Sequence, residues 1–490
     1  MDSKDDAQAQ AKHSFQQWEA MAVKSPHALL IPFPAQGHVI PLLELSYCLI
    51  DHGFTITFVN TEFNHDLVVA AMAPRRNAAA GEVGDRQIRL VKITDGMAAG
   101  ENRNDIGKLC DSILEVMPGA LEELIGRINE SAAAADDYGK ITCVIADGSM
   151  AWAISVARKM GIPNAAFWPV SVGCLATVWE ITSMIQDGVI SSDGKPIKHG
   201  MIKLSPTMPE IDPNDFFWLC NQDPDSQQKL FRYAKHVNRH VKAADWLLCN
   251  SFYDIEQPAC QLVGGILPIG PLIAGRREGR VGGNFWQEDS TCLSWLDKQP
   301  VGSVIYVAFG SLTIFTQHQF RELALGLQLS GKRFLWAVRP GLTGGSEAPY
   351  PDGFVARVAD RGQIVGWSPQ QKVLAHPAIA CFFTHCGWNS TMEGLRNGVP
   401  FLCWPYFTDQ FLHKAYITDV WKVGLEVKRE TNGFVPQAEI KRKLEELLGD
   451  EEIMARSSEL KALARKSIGK DGSSLNNLNN FIEAMKSKSC

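Results

Sequence analysis

Short apolar runs alternate with longer amphipathic stretches along most of the 490-residue chain. Runs at 28–33, 54–60, 88–93, 143–146, 165–168 and 246–249 have strand length, and helix-length segments such as 40–52 and 151–160 lie between them. Strands that are apolar throughout, joined by helical crossovers, predict a parallel sheet covered on both faces. The pattern restarts at 303–309 and continues with strands at 332–338, 363–365, 378–384 and 400–404, then helices at 440–448, 452–470 and 475–485. The expected fold class is α/β, in two units of one architecture.

The boundaries follow from composition. Residues 1–25 are polar and alanine-rich and are expected to form a disordered tail, with Met21 a candidate alternative start. A first domain is expected at 26–265, a linker at 266–300 that includes the Gly/Arg-rich stretch 274–283, and a second domain at 301–460. Residues 461–490 are expected to be terminal helices that cross back onto the first domain.

In parallel α/β sheets, ligands sit beyond the carboxyl ends of the strands. That rule singles out His38, in a glycine-containing loop after the first strand, and Asp147, directly after the strand ending at Ala146. A histidine oriented by a carboxylate can act as a general base. Taken alone, His38 is more often a surface-loop histidine and Asp147 a helix cap.

The densest chemistry lies at 367–410. The run 378–384 reads as a buried strand, and His385-Cys386-Gly387 turns into a helix beginning near Trp388. The first N–H groups of a helix have no partner within it, so phosphate oxygens are welcome there. His385, Asn389 and Ser390 add side-chain donors, and Glu393, one turn further, suits the vicinal diol of a ribose. Trp367 offers a flat face to a base, and Asp409 and Gln410 can fork hydrogen bonds to sugar hydroxyls. Ser311, after the strand 303–309, faces a diphosphate from the opposite side. Base, ribose, diphosphate and sugar, in that order, describe a nucleotide sugar.

The same segment, WSPQQKVLAHPAIACFFTHCGWNSTMEGLRNGVPFLCWPYFTDQ, resembles the signature box of plant family 1 UDP-dependent glycosyltransferases nearly residue for residue. PFPAQGHVIP resembles the loop bearing that family's catalytic histidine, and CVIAD the strand end bearing its partner aspartate. The resemblance covers essentially everything after the tail. It implies the GT-B fold, two Rossmann-like domains facing each other across a cleft, with the acceptor on the N-terminal half and the donor on the C-terminal half. It also implies roles: His38 and Asp147 catalytic, Trp367 on uracil, and Gln370 on base or ribose. By the same resemblance Glu393 holds the ribose hydroxyls, His385, Asn389 and Ser390 hold the diphosphate, and Trp388, Asp409 and Gln410 face the sugar.

Gln410 with Trp388 looks like the glucose-preferring form. The implied activity is metal-independent, inverting transfer of glucose from UDP-glucose, a donor co-substrate, to a hydroxyl of a small lipophilic metabolite. The implied acceptors are phenylpropanoids, flavonoids or terpenoids, the product a β-glycoside, and no cofactor is implied. The competing readings are a catalytically idle UDP-sugar-binding protein and a transferase with N-, S- or C-acceptor chemistry.

Composition narrows the partners. A net charge of −6 gives no nucleic-acid groove. The 12 cysteines are scattered without a C-x-x-C pair, and Cys143, Cys249 and Cys381 fall in strand-like runs, so they read as buried, reduced thiols of a cytoplasmic protein. Cys490 reads as exposed. No apolar span is long enough for a transmembrane helix, and the first residues lack the apolar core of a signal peptide. A monomer is expected. Asp223-Pro224-Asp225 is an Asp-x-Asp, but in a polar, proline-interrupted segment it reads as a solvated loop, and no metal ligand is assigned. Phe167, Trp168, Val170 and Val172 are candidates for an apolar acceptor pocket, and Phe216, Phe217 and Trp218 for a mobile loop near it, with core packing as the other reading for each.

Overall fold

Two parallel sheets organise the computed structural model, which describes residues 25–72, 88–133, 139–220, 223–272, 285–345 and 350–487. The first contains β1 (His27–Ile31), β2 (Thr55–Thr61), β3 (Ile88–Ile93), β4 (Cys143–Asp147), β5 (Asn164–Trp168), β6 (Trp246–Cys249) and β7 (Ile266–Pro268), in the order β3-β2-β1-β4-β5-β6-β7. The second contains β8 (Val304–Ala308), β9 (Arg333–Ala337), β10 (Gly362–Val365), β11 (Ile379–Thr384), β12 (Phe401–Cys403) and β13 (Gly424–Glu426), in the order β10-β9-β8-β11-β12-β13. Each sheet reverses its strand order once, between β1 and β4 and between β8 and β11. Such a switch point leaves a crevice beyond the strand ends, because the flanking connections leave toward opposite faces.

The expected strands lie within a residue or two of those observed, since each is a run that must be buried on both faces. β1 and β4 are buried at every position. Two short edge strands, β7 and β13, were not anticipated. β7 falls inside the stretch expected as a linker and ends on Pro268, which an edge strand tolerates because one side of its ladder has no partner to lose. The helix Thr291–Leu296 also lies in that stretch and buries Cys292 and Leu296. The expected tail up to residue 24, the Gly/Arg-rich stretch 274–283 and Cys490 lie outside the described residues.

Helix Gln36–Asp51 starts four residues before its expected first turn and carries Pro41 inside it. The Asp-x-Asp read as a loop is a helix start: Asp223 accepts the Ser226 N–H at 3.0 Å and Pro224 opens the helix Pro224–Val241. An N-cap aspartate followed by proline at the first helical position explains the motif locally.

One apolar core runs across both sheets: Val172, Ile255 and Trp168 of the first half share it with Trp388, Tyr416 and Trp421 of the second. A separate cluster beneath the other face of the first sheet contains Leu30, Ile145, Phe167 and Leu248, and it is completed by Leu478, Phe481, Ile482 and Met485 from the helix Ser473–Ser487. The eleven cysteines among the described residues are free thiols. No helix among the described residues is long and apolar enough to cross a membrane.

Candidate active site

The switch points of the two sheets open onto a single cavity of about 1170 Å³. His38 enters it from the first sheet with Asp147 buried behind it, Ser311 and His385 enter from the second, and the remaining predicted residues Trp367, Gln370, Trp388, Asn389, Ser390, Glu393, Asp409 and Gln410 line it with them.

β1 and β4 are adjacent, with Ile31 paired to Ala146, so the residues beyond their ends meet. Nδ1 of His38 lies 2.7 Å from Oδ2 of Asp147, whose side chain is fully buried, while that of His38 is 21% exposed. The second carboxylate oxygen accepts the Ser149 N–H at 2.8 Å, which fixes the carboxylate plane. A carboxylate accepts, so Nδ1 carries the proton and Nε2 is left as the basic nitrogen. Burial pulls the imidazole pKa down; the field and hydrogen bond of Asp147, helped by the more distant Asp409, outweigh it, and the net displacement is upward from 6.5.

On the opposite wall, β11 ends at Thr384 and the helix Trp388–Asn397 begins with Gly387 as its N-cap. The turn between them places Cys386 at φ 67°, a left-handed conformation that a cysteine adopts only when its surroundings impose it. His413 is the imposing group: its Nδ1 donates to the Cys386 carbonyl at 2.9 Å, and its Nε2 meets the Ser171 hydroxyl of the first domain at 2.9 Å. The His385 ring is held between two glycines, since a Cβ at Gly310 or at Gly387 would come within 2.5 Å of its Nε2. Burial drives His385 down to about 4, so it is neutral near pH 7.

Asn389 turns toward the first domain and donates to the Gly37 carbonyl at 2.7 Å. Gln370 is engaged at both ends: Nε2 donates to Ser390 Oγ at 2.9 Å and Glu393 Oε2 at 2.8 Å, and Oε1 accepts from the Tyr306 hydroxyl at 3.0 Å. It lines the cleft beside Glu393, which it orients. Burial lifts Glu393 to about 7. Trp388 is 3% exposed and gives its indole N–H to the Asn250 carbonyl of the first domain at 2.7 Å, so the ring joins the two halves. Gln410 uses Oε1 to accept the N–H groups of Tyr406 and Phe407, which leaves its amide nitrogen for the cleft. Asp409 accepts from Thr408 at 2.7 Å. Trp286 stacks on Trp367 with ring centroids 4.9 Å apart, and Trp367 lines the cleft.

Of the apolar candidates, Trp168, Val170, Phe216 and Phe217 line the cleft. Strand alternation sends Phe167 to the opposite face of the sheet, and Val172 and Trp218 are fully buried in the core. The segment read as a mobile loop holds two short 3₁₀ turns, with Trp218 stacked on Phe216 and bonded to the Gly194 carbonyl.

Sequence reasoning missed four polar residues here: Glu44, Gln371, Arg339 and His413. Glu44 interrupts the apolar LLELS run, and Arg339 sits just beyond β9, where the strand-end rule would have found it. Gln371 and His413 carry no local signal. Glu44, 7% exposed, accepts from Gln371 at 2.6 Å; burial first, then the field of Glu393, raises it to about 8.

Residues 282–462 match the family described as UDP-glucoronosyl and UDP-glucosyl transferase. The chain is 43% identical over 468 residues to UDP-glycosyltransferase 83A1 of Arabidopsis thaliana, covering 94% of this chain and 97% of the relative. It is 33% identical to (R)-mandelonitrile beta-glucosyltransferase of Prunus dulcis over 94% of this chain and 97% of that one. Among solved structures it is similar to UGT2 of Phytolacca americana complexed with UDP-2fluoro-glucose and pterostilbene, at a TM-score of 0.74 and 26% identity, covering 95% of this chain and all of the other. Two Rossmann-like units about a shared cleft, with these neighbours, define a GT-B glycosyltransferase. The chain belongs to the plant family 1 UDP-glycosyltransferases.

Proposed function

We propose that this enzyme transfers glucose from UDP-glucose to a hydroxyl of a small lipophilic plant metabolite, with inversion, to give a β-glycoside. The observation that carries the reading is the His38–Asp147 pair at 2.7 Å on one wall of the cleft, facing a helix N-terminus on the other. In this reading Trp367 stacks on uracil and Glu393, held by Gln370, takes the ribose hydroxyls. The first N–H groups of the helix, with Asn389, Ser390, His385 and Ser311, hold the diphosphate, where they stabilise the charge that develops as UDP leaves. Asp409 and the free amide of Gln410 take sugar hydroxyls.

Nε2 of His38 removes the acceptor proton as the oxygen attacks the anomeric carbon from the face opposite UDP. A base near pKa 6.5 facing a phenol near 10 confronts a gap of about 5 kcal/mol if proton transfer came first. Transfer concerted with attack and the stabilisation of imidazolium by Asp147 both shrink it. The wall built from Phe33, Ile106, Trp168, Val170 and Leu230 suits a flat apolar acceptor. Naming of the Prunus relative as a beta-glucosyltransferase supports glucose as the sugar and β as the product linkage. Buried free thiols support a reducing, cytoplasmic setting. The proposed division places the acceptor on the domain around residues 26–265 and the donor on that around 301–460.

The test is a mass-spectrometric screen with UDP-glucose against phenols, flavonoids and terpenoid alcohols, in EDTA. A hexose adduct formed by the wild type and lost in His38→Ala is expected. Undiminished transfer by His38→Ala would remove the proposed base.

A further inference from the structure

Arg339 is a buried cation of the donor wall to which the site as described gives no role. It is 8% exposed, lines the cleft, and follows directly on the β9 end. Its guanidinium donates to three carbonyls, Nε to Gly310 at 3.2 Å, Nη1 to Pro340 at 3.0 Å and Nη2 to Thr313 at 2.5 Å, and its carbon lies over the Trp286 ring, 5.8 Å from the centroid. Burial lowers its pKa from the ordinary arginine value, and no carboxylate among the described residues lies within ion-pair distance of it. Carbonyl dipoles satisfy N–H groups but do not neutralise a full charge, and a buried charge normally has an ionic partner.

Gly310 and Thr313 are the two ends of the turn that carries Ser311, so one planar fork clamps both ends of that turn. Gly310 in turn packs on the ring of His385, and the Arg339 charge is close enough to His385 to disfavour its protonation. The guanidinium thus lies at the cleft wall beside Ser311 and His385, the groups assigned to the diphosphate.

We propose that Arg339 is a positioning residue for the donor diphosphate: its fork sets the Ser311 turn, and its unneutralised charge favours the pyrophosphate, most of all as it departs bearing extra negative charge. This rests on the UDP-sugar reading of the cleft. It assigns the residue to the phosphates rather than to the base, the ribose or the fold.

Calorimetric titration of the full-length protein with UDP and, separately, with uridine tests it. Arg339→Gln is expected to weaken UDP at least about tenfold, or about 1.4 kcal/mol, while uridine changes by no more than about twofold, because uridine has the base and ribose but no phosphate. Arg339→Lys, which restores the charge but not the fork, is expected to recover most of the UDP loss. Equal losses for UDP and uridine, an unchanged UDP affinity, or a lysine variant no better than glutamine would each overturn the assignment. Should Arg339→Gln fail to fold, the lysine variant decides alone: it must keep the wild-type preference for UDP over uridine. Wild type that binds neither ligand would instead overturn the donor reading itself, so the two failures are distinct.

Discussion

Asn389 and Gly37 join the two halves of the enzyme through one hydrogen bond, Nδ2 to carbonyl at 2.7 Å. Pro41 makes that bond available. In a regular helix the Gly37 carbonyl would accept the N–H four residues later, but residue 41 has none to give and its ring presses the carbonyl outward. A helix-breaking residue in the sequence is thus what presents an acceptor to the second domain.

Asn389→Asp separates this role from folding. The aspartate cannot donate to Gly37, yet in the first turn of a helix it gains from the macrodipole. A lost hydrogen bond and a gained dipole contact each come to about 1 kcal/mol, so unfolding free energy is expected within about 1 kcal/mol of wild type. Donor KM is expected to rise at least tenfold, since in the proposed reading the new charge faces the diphosphate. Denaturant melts and donor kinetics on the same preparation check both halves.

The base also sets a pH dependence. Because Asp147 holds His38 above 6.5 against the pull of burial, His38 stays protonated to higher pH, and kcat/KM is expected to climb on an acid limb centred above 6.5. In Asp147→Asn the raising influence is gone and burial remains, so the limb moves to lower pH while the plateau falls by about two or more orders of magnitude. A pH–rate profile whose limb did not move would separate His38 from the reaction.

Glu44 and Glu393, each oriented by a glutamine, form a buried acid pair across the domains. Glu44, raised to about 8 in the folded protein, keeps a proton that the unfolded chain releases near 4.5. Stability is therefore greatest below that lower value and is lost as pH climbs toward 8. Glu44→Gln keeps an acceptor for Gln371 without the charge. It is expected to stabilise the protein by roughly 1–3 kcal/mol more at pH 8.5 than at pH 5, read from urea unfolding at the two values.

Glycine at 310 is required twice over, by φ +66° and by the His385 ring. Gly310→Ala is expected to cost about 1–2 kcal/mol in backbone strain and also to weaken UDP binding by displacing that ring. Gly302→Ala, at φ +60° with open space around it, is the control: similar strain, unchanged UDP affinity.

Much of this was legible in the chain. The strands were, because a run such as Cys143–Asp147 has no polar residue before its last position. His38, Asp147 and His385 were, because each follows directly on such a run or on the loop after it. The helix Gln36–Asp51 was misplaced because Gly37 and Pro41 both argue for a loop, and only the partner domain makes use of the carbonyl they leave free. β13 is three residues long and its identity comes from lying beside β12. The interdomain ties of Trp388, Gln371 and His413 join residues more than a hundred positions apart, and no local pattern encodes them.

The helix Ser473–Ser487 closes the core beneath β1. A ribosome makes β1 before the second sheet and this helix after it, so the first domain emerges with an apolar face bare and keeps it bare until the second has been made. Chaperones have that whole interval in which to bind it, and the domain synthesised first is the last to be finished.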